Sequence, residues 1–221
     1  MCIRDRGWWV RRGESEPYTY AGIEEGLAGV ARVLKTEGPF DGVIGFSQGG
    51  ALAGMVAALL EPGRREAFEK FQPSGGTPFP PSFEDEDASS GYVTEMIHPP
   101  LRFAVSYSGF KAAGHPLYRA FYEPGIGTRM LHFLGQVDTV VEEHRSLALA
   151  DACVEGRGKG DSRVVYHPGG HFLPSSQKQY VAALAAFVAK AMEFDGRQET
   201  GGKTSGKNGK GKEESLDDFP F

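Results

Sequence analysis

Phe40-Asp41-Gly42-Val43-Ile44-Gly45-Phe46-Ser47-Gln48-Gly49-Gly50-Ala51-Leu52-Ala53 decides the fold. It reads as a short buried strand, a turn tight enough to require glycine, and the start of a helix rich in Gly and Ala. Ser47 stands at the apex of a G-x-S-x-G pattern, the mark of a sharp strand-to-helix turn that lifts a serine hydroxyl above a sheet. With 31 glycines in 221 residues, that pattern arises by chance roughly 0.3 times. Its meaning has to come from its surroundings.

On the N-terminal side, Ile23, Leu27, Val30, Ala31 and Leu34 recur at spacings of three and four. They predict a helix over 21–35, ended by Gly38-Pro39. After the turn, a helix is expected from Gln48 to about Leu60, broken by Pro62-Gly63, with a shorter one over 64–71. Strands are expected at 101–108, 130–134 and 163–167, and helices at 142–153 and 178–192. This alternation predicts an α/β fold: a mostly parallel sheet with helices on both faces. Functional groups in such sheets gather at the carboxyl ends of the strands. Ser47, Asp138 and His171 each follow such an end.

The remaining stretches differ in kind. Trp8 and Trp9 lead into a polar loop through Tyr20. Residues 72–100 are rich in Pro, Gly and Ser and carry the acidic run Glu84-Asp85-Glu86-Asp87, which reads as a mobile insertion. Within it, the segment from Tyr92 to Ile97 is expected to wall or cover a site at the strand ends. From Asp195 onward the chain is Gly, Lys, Ser and Glu, too polar to offset its ordering entropy, and reads as a disordered tail. Met1 to Arg6 shows neither helical nor strand period. It resembles a translated sequencing adapter, with an ordinary frayed terminus as the alternative. The organisation expected is therefore one α/β domain over 7–194 between two non-folding ends.

A net charge of −5 argues against a nucleic-acid partner. No run approaches the roughly 18 apolar residues of a membrane span. Two cysteines, Cys2 and Cys153, give no disulfide framework and suit a reducing compartment. A cytoplasmic location is expected, and the lysine-containing tail is compatible with a nuclear one. Oligomeric state is not legible.

A serine hydroxyl needs a base within hydrogen-bond reach, itself oriented by a third group. The order Ser47, Asp138, His171 is one of the three known chain orders of such a set. Six histidines compete for the base. His132 falls inside a strand and His144 on a helix directed away from the strand ends, while His98 and His115 lie in loops of no inferable geometry. His167 ranks second, at a strand end. His171 ranks first, because Gly169-Gly170 make a loop able to reach back to the serine. Among the acids, Asp41 precedes its strand, Asp151 is helical and Asp161 lies in a polar loop. Asp138 remains. Gly45 and Gly49 are expected to leave room at both flanks of Ser47, and the backbone N–H of Gln48 to serve as an oxyanion donor. A packing-only or phosphate-cradling turn is the alternative, but no following Lys supports the latter.

The chain resembles the fungal-type serine hydrolase (FSH) family. The matching pieces are Trp8-Trp9, Glu37 to Val43, Gly45-Phe46-Ser47-Gln48-Gly49, Ser108-Gly109-Phe110, Leu134-Gly135 with Asp138, and His167 to Pro174. The resemblance implies an α/β-hydrolase with esterase or thioesterase activity on acyl substrates and no cofactor. Ser47, Asp138 and His171 match the family's nucleophile, acid and base. Members of the family begin with a strand, a His-Gly-type loop, a helix and another strand ahead of the tryptophan pair. The expectation is therefore an N-terminally truncated chain whose elbow strand has an unpaired edge, which lacks a second oxyanion donor and which is poorly folded, weakly active or inactive alone. The acyl-protein thioesterase and carboxylesterase group, which shares the Gly-Phe-Ser-Gln-Gly elbow, is the enzymatic alternative. A catalytically silent binding module is the alternative of another class.

Overall fold

In the computed structural model of the protein, residues 7–15, 17–85, 95–112, 116–154 and 163–193 are described. The chain opens with a hairpin of β1 (Val10–Arg12) and β2 (Thr19–Ala21), then α1 (Ile23–Glu37), β3 (Gly42–Phe46), α2 (Gln48–Leu59) and α3 (Arg64–Phe71). A two-residue ladder of β4 (Glu84–Asp85) and β5 (Glu95–Met96) follows. Then come β6 (Phe103–Tyr107), β7 (Arg129–Gly135), α4 (Glu143–Asp151), β8 (Arg163–His167) and α5 (Lys178–Glu193). The main sheet has the order β3-β6-β7-β8 and is parallel throughout. Ile44 pairs with Val105 and Val105 with Leu131, so the apolar residues of neighbouring strands share a level.

Both faces of the sheet are covered at β6, whose five residues are all buried, the polar Ser106 among them, rather than alternately buried and exposed. One face carries α2, whose residues from Gly50 to Leu59 are all buried. A helix enclosed on every side can be apolar all round, and this one is. Helix α1 instead buries a single stripe, Ile23, Leu27, Ala31 and Leu34. On the opposite face, Tyr180, Phe187 and Ala191 of α5 pack on Phe103, Val105, Leu131 and Phe133.

Two polar devices tie these layers together. Arg64 is buried, and its guanidinium donates to the carbonyls of Ala58, Ala120 and Pro124 (3.2, 3.1 and 2.6 Å) and to Glu61 Oε2 (2.5 Å). Glu61 Oε1 in turn accepts from the N–H groups of Gly127 and Thr128. A buried charge so fully bonded is structural, and removing one partner typically costs about 3–5 kcal/mol. His98 accepts from Phe40 N–H at Nε2 (2.7 Å) and donates from Nδ1 to the Pro99 carbonyl (2.6 Å), fixing the start of β3. The expected polar loop before Tyr20 contains the β1–β2 hairpin, and Tyr20 itself is buried against Trp9 and Tyr118.

The described part of 72–100 is packed; residues 86–94, the centre of the stretch read as a mobile insertion, lie outside the described residues. Phe83 is fully buried and Phe79 meets Phe68 edge-on at 5.4 Å. Lys35 pairs with Asp85 and Arg65 with Glu84. Met96 and Ile97 join the main core just ahead of His98, toward the amino ends of the strands and away from Ser47, so they do not form a lid. The physical reason is aromatic content: Phe79 and Phe83 bury more area than the surrounding prolines and glycines forfeit. Tyr92, His115, Asp161, the first six residues and the tail lie outside the described residues.

Among the described residues β3 is paired only with β6. It leaves Ile44 54% and Phe46 40% exposed beside a groove of about 350 Å³ lined by Trp8, Val30, Val43, Leu52 and Val56. An apolar strand edge of this kind invites pairing with other chains. A charge at its most exposed position should suppress that. Ile44→Lys is expected to lower self-association in sedimentation velocity while changing stability by no more than about 1 kcal/mol; equal association of both proteins would show that the edge is not the sticky surface.

His132, inside β7, is almost wholly buried, and desolvation pushes its pKa down to about 4. The native state therefore holds it neutral while the unfolded chain protonates it near pH 6.5. Between those values the unfolded state binds more protons, so stability is complete above pH 6.5 and declines as pH falls toward 4. His132→Asn should remove about 2 kcal/mol of the difference in urea stability between pH 7 and pH 4.5. An unchanged slope would place the acid sensitivity elsewhere.

Candidate active site

The site is assembled by a staircase of backbone hydrogen bonds at the carboxyl ends of the sheet. Ser47 N–H donates to Tyr107 O, Ser108 N–H to Phe133 O, and Gln136 N–H to His167 O, each at 2.8 Å. Each strand thus holds the first residue leaving its neighbour, and the turns that carry the polar side chains stand side by side.

Ser47 takes φ 54° and ψ −118° between β3 and α2, a conformation that L-residues seldom adopt and that costs on the order of 1–3 kcal/mol. It is tolerated because the surrounding backbone is packed too closely to relax. A methyl group on Gly45 would lie 1.9 Å from Gly49 O, and one on Gly50 would lie 2.8 Å from Ser106 Oγ and 2.9 Å from Gly109 Cα. At Gly49 the nearest atom would be Trp8 Nε1 at 3.6 Å, an ordinary contact. The steric requirement expected at Gly45 and Gly49 falls instead on Gly45 and Gly50. Gly50 is the second residue to face β6, a relation that depends on helix phase and was not legible in the five-residue pattern.

The three side chains selected from the sequence meet. Ser47 Oγ–H donates to His171 Nε2 at 2.9 Å, and His171 Nδ1–H donates to Asp138 Oδ2 at 2.8 Å. A carboxylate acceptor at Nδ1 fixes the tautomer that leaves Nε2 as the acceptor. Asp138 Oδ1 accepts from Val140 N–H and Val141 N–H, both at 2.9 Å. Burial alone would raise the Asp138 pKa. The Val141 N–H, His171, the Val140 N–H and the Ser108 hydroxyl outweigh it, holding the carboxyl below its ordinary value and therefore ionised at neutral pH. Phe46 lies against the His171 ring, with centroids 4.8 Å apart.

The rival histidines have other duties. His167 is buried at the end of β8, accepts from Gly169 N–H at Nδ1 (3.3 Å) and sits between Phe172 and Tyr180, shaping the loop that delivers His171. Desolvation lowers its pKa against the pull of Asp138. His144 is exposed on α4 beside Glu142, and His132 is a core residue, as expected from its strand position. His98, given no geometry from the sequence, is a buried hydrogen-bonded brace.

Gln48 opens α2, so its backbone N–H is at the positive end of the helix and adjacent to Ser47. Its side chain is a tether: Oε1 accepts from Trp8 N–H at 2.7 Å, and Nε2 donates to Trp9 O at 3.0 Å. The amide pair thereby lashes the N-terminal segment to the elbow. A Gln beside the serine and a paired Trp 39 residues upstream offered no sequence signal for that contact. Among the described residues no three His, Cys, Asp or Glu side chains are grouped to hold a metal ion, and no helix is long and apolar enough to cross a membrane.

A parallel sheet flanked by helices, with a serine, an imidazole and a carboxylate in series at its carboxyl ends, defines an α/β-hydrolase-type serine hydrolase. The chain belongs to the serine hydrolase (FSH1) family, which matches residues 3–183. The zebrafish (Danio rerio) "Esterase OVCA2" is 31% identical over 178 residues, covering 77% of this chain and 62% of that protein. The fission yeast (Schizosaccharomyces pombe) "Dihydrofolate reductase" is 32% identical over 185 residues, 84% of this chain but 32% of that protein. The chain thus spans about one third to two thirds of the length of the curated relatives it matches. Acyl-protein thioesterase 2 of Zea mays superposes with a TM-score of 0.47 at 22% identity, covering 82% of this chain and 72% of that one.

The elbow's close contacts separate its glycines. Gly45→Ala should destabilise by about 3 kcal/mol or prevent folding, since backbone and not a flexible side chain opposes the added methyl. Gly49→Ala should leave thermal stability unchanged or raise it by up to about 1 kcal/mol through helix propensity. Equal effects at the two sites in calorimetry would refute the assignment.

Proposed function

We propose that this chain carries the reaction centre of a serine esterase that cleaves carboxylic ester or thioester bonds of small acyl substrates. The observation that carries the reading is the unbroken series from Ser47 Oγ through His171 to Asp138, at 2.9 and 2.8 Å. In this mechanism His171 Nε2 takes the Ser47 proton as Oγ attacks the acyl carbonyl carbon. Asp138, held ionised by its backbone donors, stabilises the imidazolium so formed. The tetrahedral oxyanion develops next to the Gln48 N–H, where the helix end favours negative charge. Collapse expels the alcohol or thiol, which takes the proton from His171 and leaves an acyl-serine. Water, deprotonated by His171, then releases the carboxylic acid and restores Ser47. No redox partner enters the balance, and none of these steps uses a cofactor.

Family membership supports hydrolysis of an ester as the coarse reaction. The preference for thioester or oxygen ester, and the acyl length, are proposed here only as a class. The relatives are longer, and the activity of a whole protein containing this chain is part of the same proposal. A fluorophosphonate probe tests it. The full 221-residue chain should be labelled at Ser47, Ser47→Ala should not be labelled, and Asp138→Asn should slow ester turnover by about 10³- to 10⁴-fold. Wild-type protein that is folded but unreactive, both as this chain and within a longer protein that contains it, would instead favour a silent binding module. Turnover of acyl esters and thioesters of graded length then orders the substrates.

A further inference from the structure

Two residues other than glycine have positive φ among the described residues, Ser47 at 54° and Ser108 at 45°. They occupy equivalent places: Ser47 is the first residue after β3 and Ser108 the first after β6, its neighbour in the sheet. The strain at Ser47 has its purpose in the elbow. The strain at Ser108 has none in the chemistry so far described, and glycine, which stands next in sequence as Gly109, would take the same conformation without cost. A strained side-chain-bearing residue retained beside a reaction centre points to use of its side chain.

That side chain is a hydroxyl with an unmet need. Ser108 is 1% exposed, and its Oγ has no hydrogen-bond partner. A buried hydroxyl left unbonded loses its hydration without replacement, so such groups are rare without a reason. The complementary deficit lies on Asp138, whose carboxylate side chain is 3% exposed. Its two oxygens can accept about four hydrogen bonds. Val140 N–H and Val141 N–H fill Oδ1, whereas Oδ2 receives only His171. Ser108 and Asp138 leave the carboxyl ends of the neighbouring strands β6 and β7, and the Ser108 hydroxyl is among the groups that hold the Asp138 carboxyl below its ordinary pKa.

We propose that Ser108 is a positioning residue: its hydroxyl donates to the Asp138 carboxylate and fixes the rotation that keeps His171 in line with Ser47. Backbone donors on Oδ1 hold one corner of the carboxylate, and a single donor on Oδ2 leaves it able to pivot about that corner. A second donor stops the pivot. The bond tightens when the imidazolium forms and draws the carboxylate toward His171, which makes the contribution larger in the transition state than at rest. This inference rests on the esterase reading for its kinetic consequence and on the burial, backbone conformation and strand-end position of Ser108 for its structural one.

Ser108→Gly removes the hydroxyl and relieves the positive φ, so the variant should fold at least as stably as the parent; Ser108→Ala is the second variant. In the full chain, each is expected to lower kcat by about 10-fold with KM changed less than about 2-fold. In an Asp138→Asn background the same substitutions should cause no further loss, because the residue acts through that carboxylate. Wild-type kcat in Ser108→Gly, or an equal loss in both backgrounds, overturns the proposal. An activity-independent measurement accompanies the kinetics: the downfield proton resonance of His171 Nδ1–H should shift and broaden in Ser108→Gly. An unchanged resonance overturns the proposal. A wild-type chain that ignores the fluorophosphonate, alone and within a longer protein that contains it, sinks the esterase reading, and the resonance then decides Ser108 by itself.

Discussion

The strained backbone at Ser47 is the constraint on which the rest depends. A φ of 54° in a residue with a Cβ persists only where neighbouring backbone leaves no alternative. Here the neighbours are Gly45, Gly50 and Gly109, whose missing side chains let β3, α2 and the turn after β6 approach to contact. The strain is therefore held by packing of backbone on backbone, and it is anchored by Ser47 N–H on Tyr107 O at 2.8 Å. The buried, all-apolar character of α2 belongs to the same arrangement. A helix with Gly and Ala on its sheet-facing turns can descend onto the strands, and its descent is what presses Gly49 O against Gly45.

Much of this was legible because the signals are local. The periodicity of Ile23, Leu27, Ala31 and Leu34 marks α1, and the run around Val105 marks β6 to within two residues. Ser47, Asp138 and His171 were found by a topological rule, that polar loops follow the carboxyl ends of parallel strands, and the structure brings all three together. What stayed hidden depends on contacts distant in sequence. The Gln48 amide bonds a segment 39 and 40 residues away. Phe83 buries itself from within a stretch whose composition reads as loop. Gly50 rather than Gly49 is the tight position because of how α2 is rotated over β6, and no motif of five residues encodes that rotation.

The histidines show how one residue type divides by environment. His132 and His167 are buried, and desolvation holds both below their ordinary pKa, so they are neutral spacers through most of the physiological range. His98 has both ring nitrogens committed to backbone groups. His171 alone among the described histidines has one nitrogen on a carboxylate and the other on a hydroxyl. His167 lies four residues earlier at the end of the same strand and was the nearest competitor. The difference is the direction in which each leaves the sheet. His167 is still in register with Gly135 and points into the aromatic cluster of Phe172 and Tyr180. The turn through Gly169 and Gly170 reverses the chain, and the next ring emerges over Ser47.

That turn is itself tied to the acid. Val137 N–H donates to Gly169 O at 3.2 Å, and a methyl group on Gly135 would strike the carbonyls of Gly169 and Gly170 at 2.6 and 2.4 Å. The loop bearing Asp138 and the loop bearing His171 are thus packed as one body, backbone to backbone, before any side chain is considered. The 2.8 Å bond between Asp138 and His171 is a consequence of that contact rather than its cause. Substituting the carboxylate should therefore alter the electrostatics of the imidazole while leaving the loops in place. The serine stands on a separate body, the elbow, joined to the loops through β6. Its alignment with His171 depends on how faithfully the strand ends hold their stagger, which makes the turn after β6, where Ser108 and Gly109 lie, the mechanical link between the two halves of the site.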